Sequence, residues 1–483
     1  MSSLKLANVH NALFNFLKHD RGSCLFFFLV GLTLRGIPEL LVSWYPVGYE
    51  TIAWYAPPMM TFSGRSLTDV FVEFFRAGPL FYALMWFAVN VTGAHPFIVL
   101  KVVGPLLYGS LSVSFFVFLK KGLKFEWKLA FVASLLLVFQ IAALRDSWDR
   151  FRTVLGLVFL FATLTVFKTD FNHKWKLVAL LTVLTTISRE YVAVVLFATV
   201  LGFVVFEKKG RVASFVALGP ALAIFMVMVY PGLFGFAMSY VPEGQYASRS
   251  YLWVVQDAVV IFAACYLALL PFVLKGWRRD KLVGSMFAWL LVGSFSIVNP
   301  WFAVPGYQRW LLLLVFPLTI YAVWGFERLR LFSQGRIRIL AVILLGFIII
   351  GAGYSTGTFS YVGYMTNSYV TVHLVQSSIG WNQIDDVKAV LGWLDVNAAS
   401  NSSILAEESF YGWTLIYFER ANADVKVIPY GAASPPMSAL KLALYEGFSQ
   451  IYLMWYTEQN LSDFKIVHSQ NSISIFQYVP KIA

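Results

Sequence analysis

WYPVGYETIAWYAPPMMTFSGRSLTDVFVEFFRAGPLFYALMWFAVNVTGAHP, residues 44–96, is the first long break in an otherwise apolar chain. One apolar segment, 24–44, leads into it, and others follow at 97–119, 128–144, 151–167, 176–190, 191–206, 212–230, 253–274, 282–298, 309–326 and 337–354. Their lengths cluster near the roughly 17–25 residues that an α-helix needs to cross a bilayer core. The stretch also holds an apolar run of its own, 79–92. Whether that run crosses decides the orientation of everything after it.

If 79–92 crosses, the basic loop Lys120–Lys128 and every later basic loop fall on the face opposite the basic N-terminus. If it stays on one side, the N-terminus and loops 120–128, 168–176, 208–211, 275–281 and 328–338 share the cytoplasmic face, as the positive-inside bias requires. The run is 14 residues long, about 21 Å as a helix against a core of about 30 Å. The reading is therefore an α-helical polytopic membrane protein with eleven spans. The run 79–92 becomes a surface or re-entrant helix inside a first outer loop, 45–96. This predicts a multi-pass protein of the cell membrane, with a cytoplasmic N-terminus and the chain's end outside. The first apolar run is read as a retained span, preceded by an interfacial amphipathic helix carrying Leu4, Leu6, Val9, Leu13, Phe14 and Leu17. Ser188, Arg189 and Glu190 break the run 176–206 at an outer turn.

Composition agrees. Of the 483 residues, 59% are hydrophobic and 13% charged, about half the charge of a soluble domain. Mean hydropathy is +0.70. The net charge of +12 lies mostly in the cytoplasmic loops, so no nucleic-acid partner is expected. Cys24 and Cys265 sit in apolar runs and imply no disulfide framework.

After about residue 354 the chain turns polar, and 355–483 is long enough for a separate extracytoplasmic α/β domain beside the 1–354 membrane domain. Gln383–Asn397 has helical spacing, with Val387, Val390, Leu391 and Leu394 on one face. Strands are expected at 403–406, 425–429 and 450–455, a helix at 438–447, and a closing hairpin from 464–467 and 472–478. Asn401 and Asn460 lie in N-x-S/T sequons.

Charge beside a membrane is costly, so each outer charge is a candidate for function. The first loop offers Glu50, Arg65, Asp69, Glu73 and Arg76, and Lys101 follows in the next span's outer turn. RDSWDRFR carries Arg145, Asp146, Asp149, Arg150 and Arg152. Arg189 with Glu190, then Glu243 with Arg249, then Arg309 complete the set. Cations on the face where the bias disfavours them suit an anionic lipid phosphate, which Arg meets with paired donors and Lys as a point charge. A carboxylate in a partly dry pocket can take a proton from a hydroxyl nucleophile. The bland readings weigh about equally: a solvated loop residue at Glu50 and a mutual salt-bridge cluster in RDSWDRFR. Arg35 and Glu39 read as a structural ion pair, and Asp69 and Glu73 as solvated charges.

At these residues the chain resembles the GT-C class of membrane glycosyltransferases, among them protein O-mannosyltransferases, aminoarabinose transferases and archaeal dolichyl-phosphate-sugar-dependent transferases. VGYETIAWY resembles the class's first-loop acidic motif, more often GYD, with Glu50 at the matching position. AGPLFYALM (77–85) resembles its HPPL-type helix, with Ala77–Gly78 where the His would be. ALRDSWDRFRTVLGLVFL (143–160) resembles the second-loop motif, with Asp149 the matching acid and Asp146 the alternative. GYQRWLLLLVFPL (306–318) resembles the late RY…P segment and points to Arg309.

The resemblance implies transfer of a sugar from a polyprenyl-phosphate-linked donor to a protein, lipid or glycan acceptor on the extracytoplasmic face. Glu50 would act as general base on an acceptor hydroxyl or position it, and Asp149, with Asp146 as the alternative, would assist or help hold a cation. Lys101, Arg152 and Arg309 would bind the lipid phosphate. The need for a divalent cation is left open, with Glu50, Asp146 and Asp149 as the oxygens that would have to converge. Trp393, Tyr411 and Trp413 are candidates for an acceptor groove, and the tail has no WWDYG motif of the oligosaccharyltransferases. Two other readings compete: a transporter or lipid flippase, which would place its charges at mid-membrane, and a non-catalytic scaffold displaying the tail.

Overall fold

The computed structural model describes residues 16–42, 44–206, 211–229, 251–277, 280–295, 307–357, 374–377, 379–421, 425–430, 437–457, 461 and 463–479. The interfacial helix expected near the N-terminus lies almost wholly outside these residues, as do Glu243, Arg249 and Asn460.

Within the described residues the apolar runs form helices. In chain order they are α1 (Asp20–Leu41), α2 (Pro79–Thr92), α3 (Pro96–Val117), α4 (Trp127–Val138), α5 (Ile141–Asp149), α6 (Phe151–Lys168), α7 (Lys174–Ser188) and α8 (Glu190–Phe206). They continue as α9 (Arg211–Val229), α10 (Tyr251–Tyr266), α11 (Leu270–Gly276), α12 (Lys281–Phe295), α13 (Tyr307–Leu313), α14 (Val315–Arg328) and α15 (Ile337–Ser355). Among the described residues, six helices are long and apolar enough to cross a membrane, counting α13–α14 as one. Two pairs, α4–α5 bent by 57° and α10–α11 bent by 75°, raise the number to eight if each is one broken span. The expected eleven spans also include α7, α8 and α12, which have 15, 17 and 15 residues. At 1.5 Å per residue they reach about 22–26 Å, short of a full hydrocarbon core. The helix expected in the first loop is α2, of 14 residues.

The first loop is pinned at both ends. Arg35 and Glu39 form a buried ion pair at 2.8 Å. Arg35 also donates to the carbonyls of Ser147 and Trp148 at 3.0 Å each, two of the acceptors that the last turn of α5 leaves without helical partners. Glu39 accepts from the Val47 amide at 3.2 Å. The pair is structural, as its spacing predicts, and it ties the first span to both the loop and α5. Downstream, Ser66 and Asp69 form a reciprocal capping box on the short helix Leu67–Glu73.

The tail is an α/β sheet. Strands β1 (Ser402–Glu407), β2 (Val425–Tyr430), β3 (Gln450–Tyr456), β4 (Phe464–Gln470) and β5 (Ile473–Tyr478) lie in the order β2-β1-β3-β5-β4. β1 pairs in parallel with β2 and β3, and β5 runs antiparallel to β3 and β4. Helices α16 (Ile384–Asn397), α17 (Glu408–Ala421) and α18 (Met437–Tyr445) accompany them. Sequence reading finds all of these except α17. Its sequence, ESFYGWTLIYFERA, spreads aromatic and apolar residues around the helix and places Gly412 inside it, which blurs a 3.6-residue period.

α17 is the element that joins tail to membrane domain. A Cβ on Gly412 would lie 2.5 Å from Ala53 Cα and 2.6 Å from the Ile52 carbonyl oxygen. Only a glycine lets α17 sit on the backbone of the first loop. Beside it Trp413 packs edge-on against Tyr45, with ring centroids 5.0 Å apart. A second contact is made by Trp381, whose ring stacks with Trp148 of α5 at 6.2 Å.

Candidate active site

The backbone brings Glu50 to α5. Gly48 adopts φ +115°, and a Cβ there would lie 2.7 Å from the Trp148 carbonyl and 2.9 Å from Asp149 Cβ. Glycine is needed both for the positive φ and for the close approach. Two residues on, the amide of Glu50 donates to Asp149 Oδ2 at 3.4 Å, at the start of the π-helical turn Thr51–Tyr55.

Five arginines share this region. Glu50 Oε1 lies 3.4 Å from Arg309 Nη2 and 3.9 Å from Arg150 Nε. Arg150 pairs with Asp146 at 2.8 Å and Arg145 with Asp149 at 2.5 Å, both four residues apart on α5. Arg152 donates to the Tyr55 hydroxyl at 3.3 Å and to the Ala77 carbonyl, with its guanidinium over the rings of Tyr55 and Tyr82. Arg189 sits 3.5 Å from Glu190 Oε1. Arg189 and Arg309 flank the Tyr191 ring, at 5.1 and 5.8 Å.

Exposure separates the acids. The side chains of Asp146 and Asp149 are 2% and 0% exposed and each is engaged by an arginine, whereas Glu50 retains 14%. Burial pushes the Glu50 carboxyl up. The guanidiniums of Arg309, Arg150, Arg189 and Arg152 outweigh burial and hold it below its ordinary value. The group is a carboxylate at neutral pH, partly exposed and close to Arg309 and Arg150.

Glu50, Asp149, Asp146, Arg152 and Arg309 thus meet in one basin. Lys101 lies apart from it, on α3. It donates to the carbonyls of Val42 and Tyr45 at 2.8 and 3.1 Å and approaches Glu39 at 3.9 Å. Among the described residues no group of three or more His, Cys, Asp or Glu side chains is placed to hold a metal ion. Trp413 is 2% exposed, and Trp393 stacks flat on His468 at 4.9 Å, so these two rings are occupied by the protein itself.

Sequence reading left Arg150, Arg189 and Tyr191 without a role. The signal for Arg150 was present in its i,i+4 spacing from Asp146. Arg189 carried only its place at a break between two apolar runs, which the structure explains. There the backbone turns extended, with φ −161° and ψ 121°.

No family model matches the sequence, and no curated protein matches it significantly. Among solved structures the chain resembles the cryo-EM structure of arabinofuranosyltransferase AftD from mycobacteria, with a TM-score of 0.57 and 12% identity. The match covers 95% of this chain and 40% of that one, so the chain spans well under half of its neighbour's length. The likeness is one of fold.

Proposed function

We propose that this protein is a membrane glycosyltransferase that moves a sugar from a polyprenyl-phosphate-linked donor to a hydroxyl acceptor on the extracytoplasmic face. One observation carries the reading: Glu50, partly exposed, lies between Arg309 and Arg150 and so joins α5 to α13, while the neighbouring Asp146 and Asp149 are buried and already paired. Glu50 takes the acceptor's proton as the acceptor oxygen bonds to the anomeric carbon. The bond from that carbon to the phosphate oxygen breaks, and the polyprenyl phosphate leaves with the electron pair. Arg309, Arg150, Arg152 and Arg189 meet the charge that develops there, the step at which fixed cations are worth most. Asp149 holds the Glu50 backbone, Asp146 holds Arg150, and Lys101 secures the start of the loop. The likeness of fold to an arabinofuranosyltransferase supports sugar transfer in general, and the donor rests on the basin's charge.

The test is release of polyprenyl phosphate by the purified protein in lipid, given a panel of polyprenyl-phosphate sugars and a membrane acceptor fraction. Glu50→Gln is expected to lower turnover by about 10²–10⁴-fold with folding intact. Undiminished turnover in that variant would remove Glu50 from the reaction.

A further inference from the structure

Asp257 is the one acidic residue of α10 and is 5% exposed. A carboxylate buried in an apolar helix is costly unless it is engaged. Its Oδ2 accepts from the Tyr307 hydroxyl at 2.6 Å. Tyr307 opens α13, and two residues later Arg309 reaches to 3.4 Å from Glu50 Oε1. The far end of α10 grips the same helix. There the Tyr266 hydroxyl donates to the carbonyls of Leu311 and Leu312 at 2.6 and 2.9 Å. A helix of seven residues is thus held by α10 near both ends. Two points fix its rotation as well as its position, and rotation sets where Arg309 points.

We infer that Asp257 is a positioning residue: through Tyr307, and together with Tyr266, it braces α13 so that Arg309 stays against Glu50. The inference rests on the reading of Glu50 as the reacting carboxylate. It assigns a role to a residue at a distance from donor and acceptor.

The brace is tested without any sugar donor. In a chain with Cys24 and Cys265 replaced by Ala, Glu50→Cys places a lone thiol in the basin, facing Arg309, Arg150, Arg152 and Arg189. The pH dependence of its alkylation by a small reagent reads the local field, because nearby guanidiniums favour the thiolate. Arg309→Gln is expected to raise the midpoint by at least about half a pH unit. Tyr307→Phe and Asp257→Leu should each raise it similarly, with no further rise when combined with Arg309→Gln. Asp257→Asn keeps an oxygen for the Tyr307 hydroxyl and should leave the midpoint where it is. A midpoint that rises in Arg309→Gln but stays put in Tyr307→Phe and Asp257→Leu would overturn the brace. Polyprenyl phosphate release is measured separately. Titrations as expected, with turnover indifferent to Glu50→Gln, would uphold the brace and sink the catalytic reading.

Discussion

Glu50 feels two opposed influences, and the cations win. Its carboxyl lies below its ordinary value of 4.5 because Arg309, Arg150, Arg189 and Arg152 together outweigh burial. A depressed carboxylate keeps its charge through neutral pH and loses it only as pH falls through the lowered value. The acid limb of kcat/KM should therefore lie below the ordinary carboxylate range. Removing one cation weakens the depression, so Arg309→Leu should move that limb upward. A pH–rate profile of the two proteins checks this. Asp149 makes a different prediction. Its side chain is fully buried against Arg145, and removing one member of a buried pair strands the other. Asp149→Ala should destabilise by about 3–5 kcal/mol, read by denaturant unfolding, with Asp149→Asn milder. Part of this was legible: RDSWDRFR advertises its internal pairs through four-residue spacing. The contact of Glu50 with Arg309 joins residues 259 apart, and no local period can announce it.

At the scale of elements, the least conspicuous helix in the sequence is the one that shapes the site. The membrane helices were legible because each apolar run has to bury itself in lipid or protein. The tail strands were legible because β1 and β3 are short, almost wholly buried runs. α17 escaped because its constraint is tertiary: it must offer a bare backbone to Ile52 and Ala53, and a glycine in mid-helix looks like a breaker until its neighbour is seen. Gly412→Val should push α17 and the Glu50 loop apart. A displacement of about 1 Å near reacting groups costs on the order of 10²-fold in rate. Turnover of Gly412→Val against wild type, at matched folded fraction, measures this. A variant as active as wild type would mean that the loop does not depend on the tail.

For the whole molecule, the proposed topology, with basic loops on one face and the charged basin on the other, is an orientation that labelling can check. Tyr445 is 90% exposed in α18, and Lys121 lies in a basic loop, paired with Asp20. In intact cells a membrane-impermeant thiol reagent should modify Tyr445→Cys at once, and Lys121→Cys only after permeabilisation, both without native cysteines. The reverse pattern would put the basin inside and exclude an extracytoplasmic reaction. The number of crossings was less legible than their existence. A run of 15–17 residues is ambiguous between a short span and a buried helix, and neighbours rather than composition decide between the two.

The 259-residue interval between Glu50 and Arg309 also orders the birth of the site in time. A ribosome adding about 5–20 residues per second needs roughly 13–50 seconds to make that interval. Arg150 emerges earlier, with Asp146 and Asp149, so the nascent carboxylate meets its first cation while two-thirds of the chain is still unmade. Arg309 comes later, and the tail helix that backs the loop later still. A chain stalled in the middle of the membrane domain would hold Glu50 and the α5 arginines without the partner that completes the basin, so the site waits for the synthesis of residue 309.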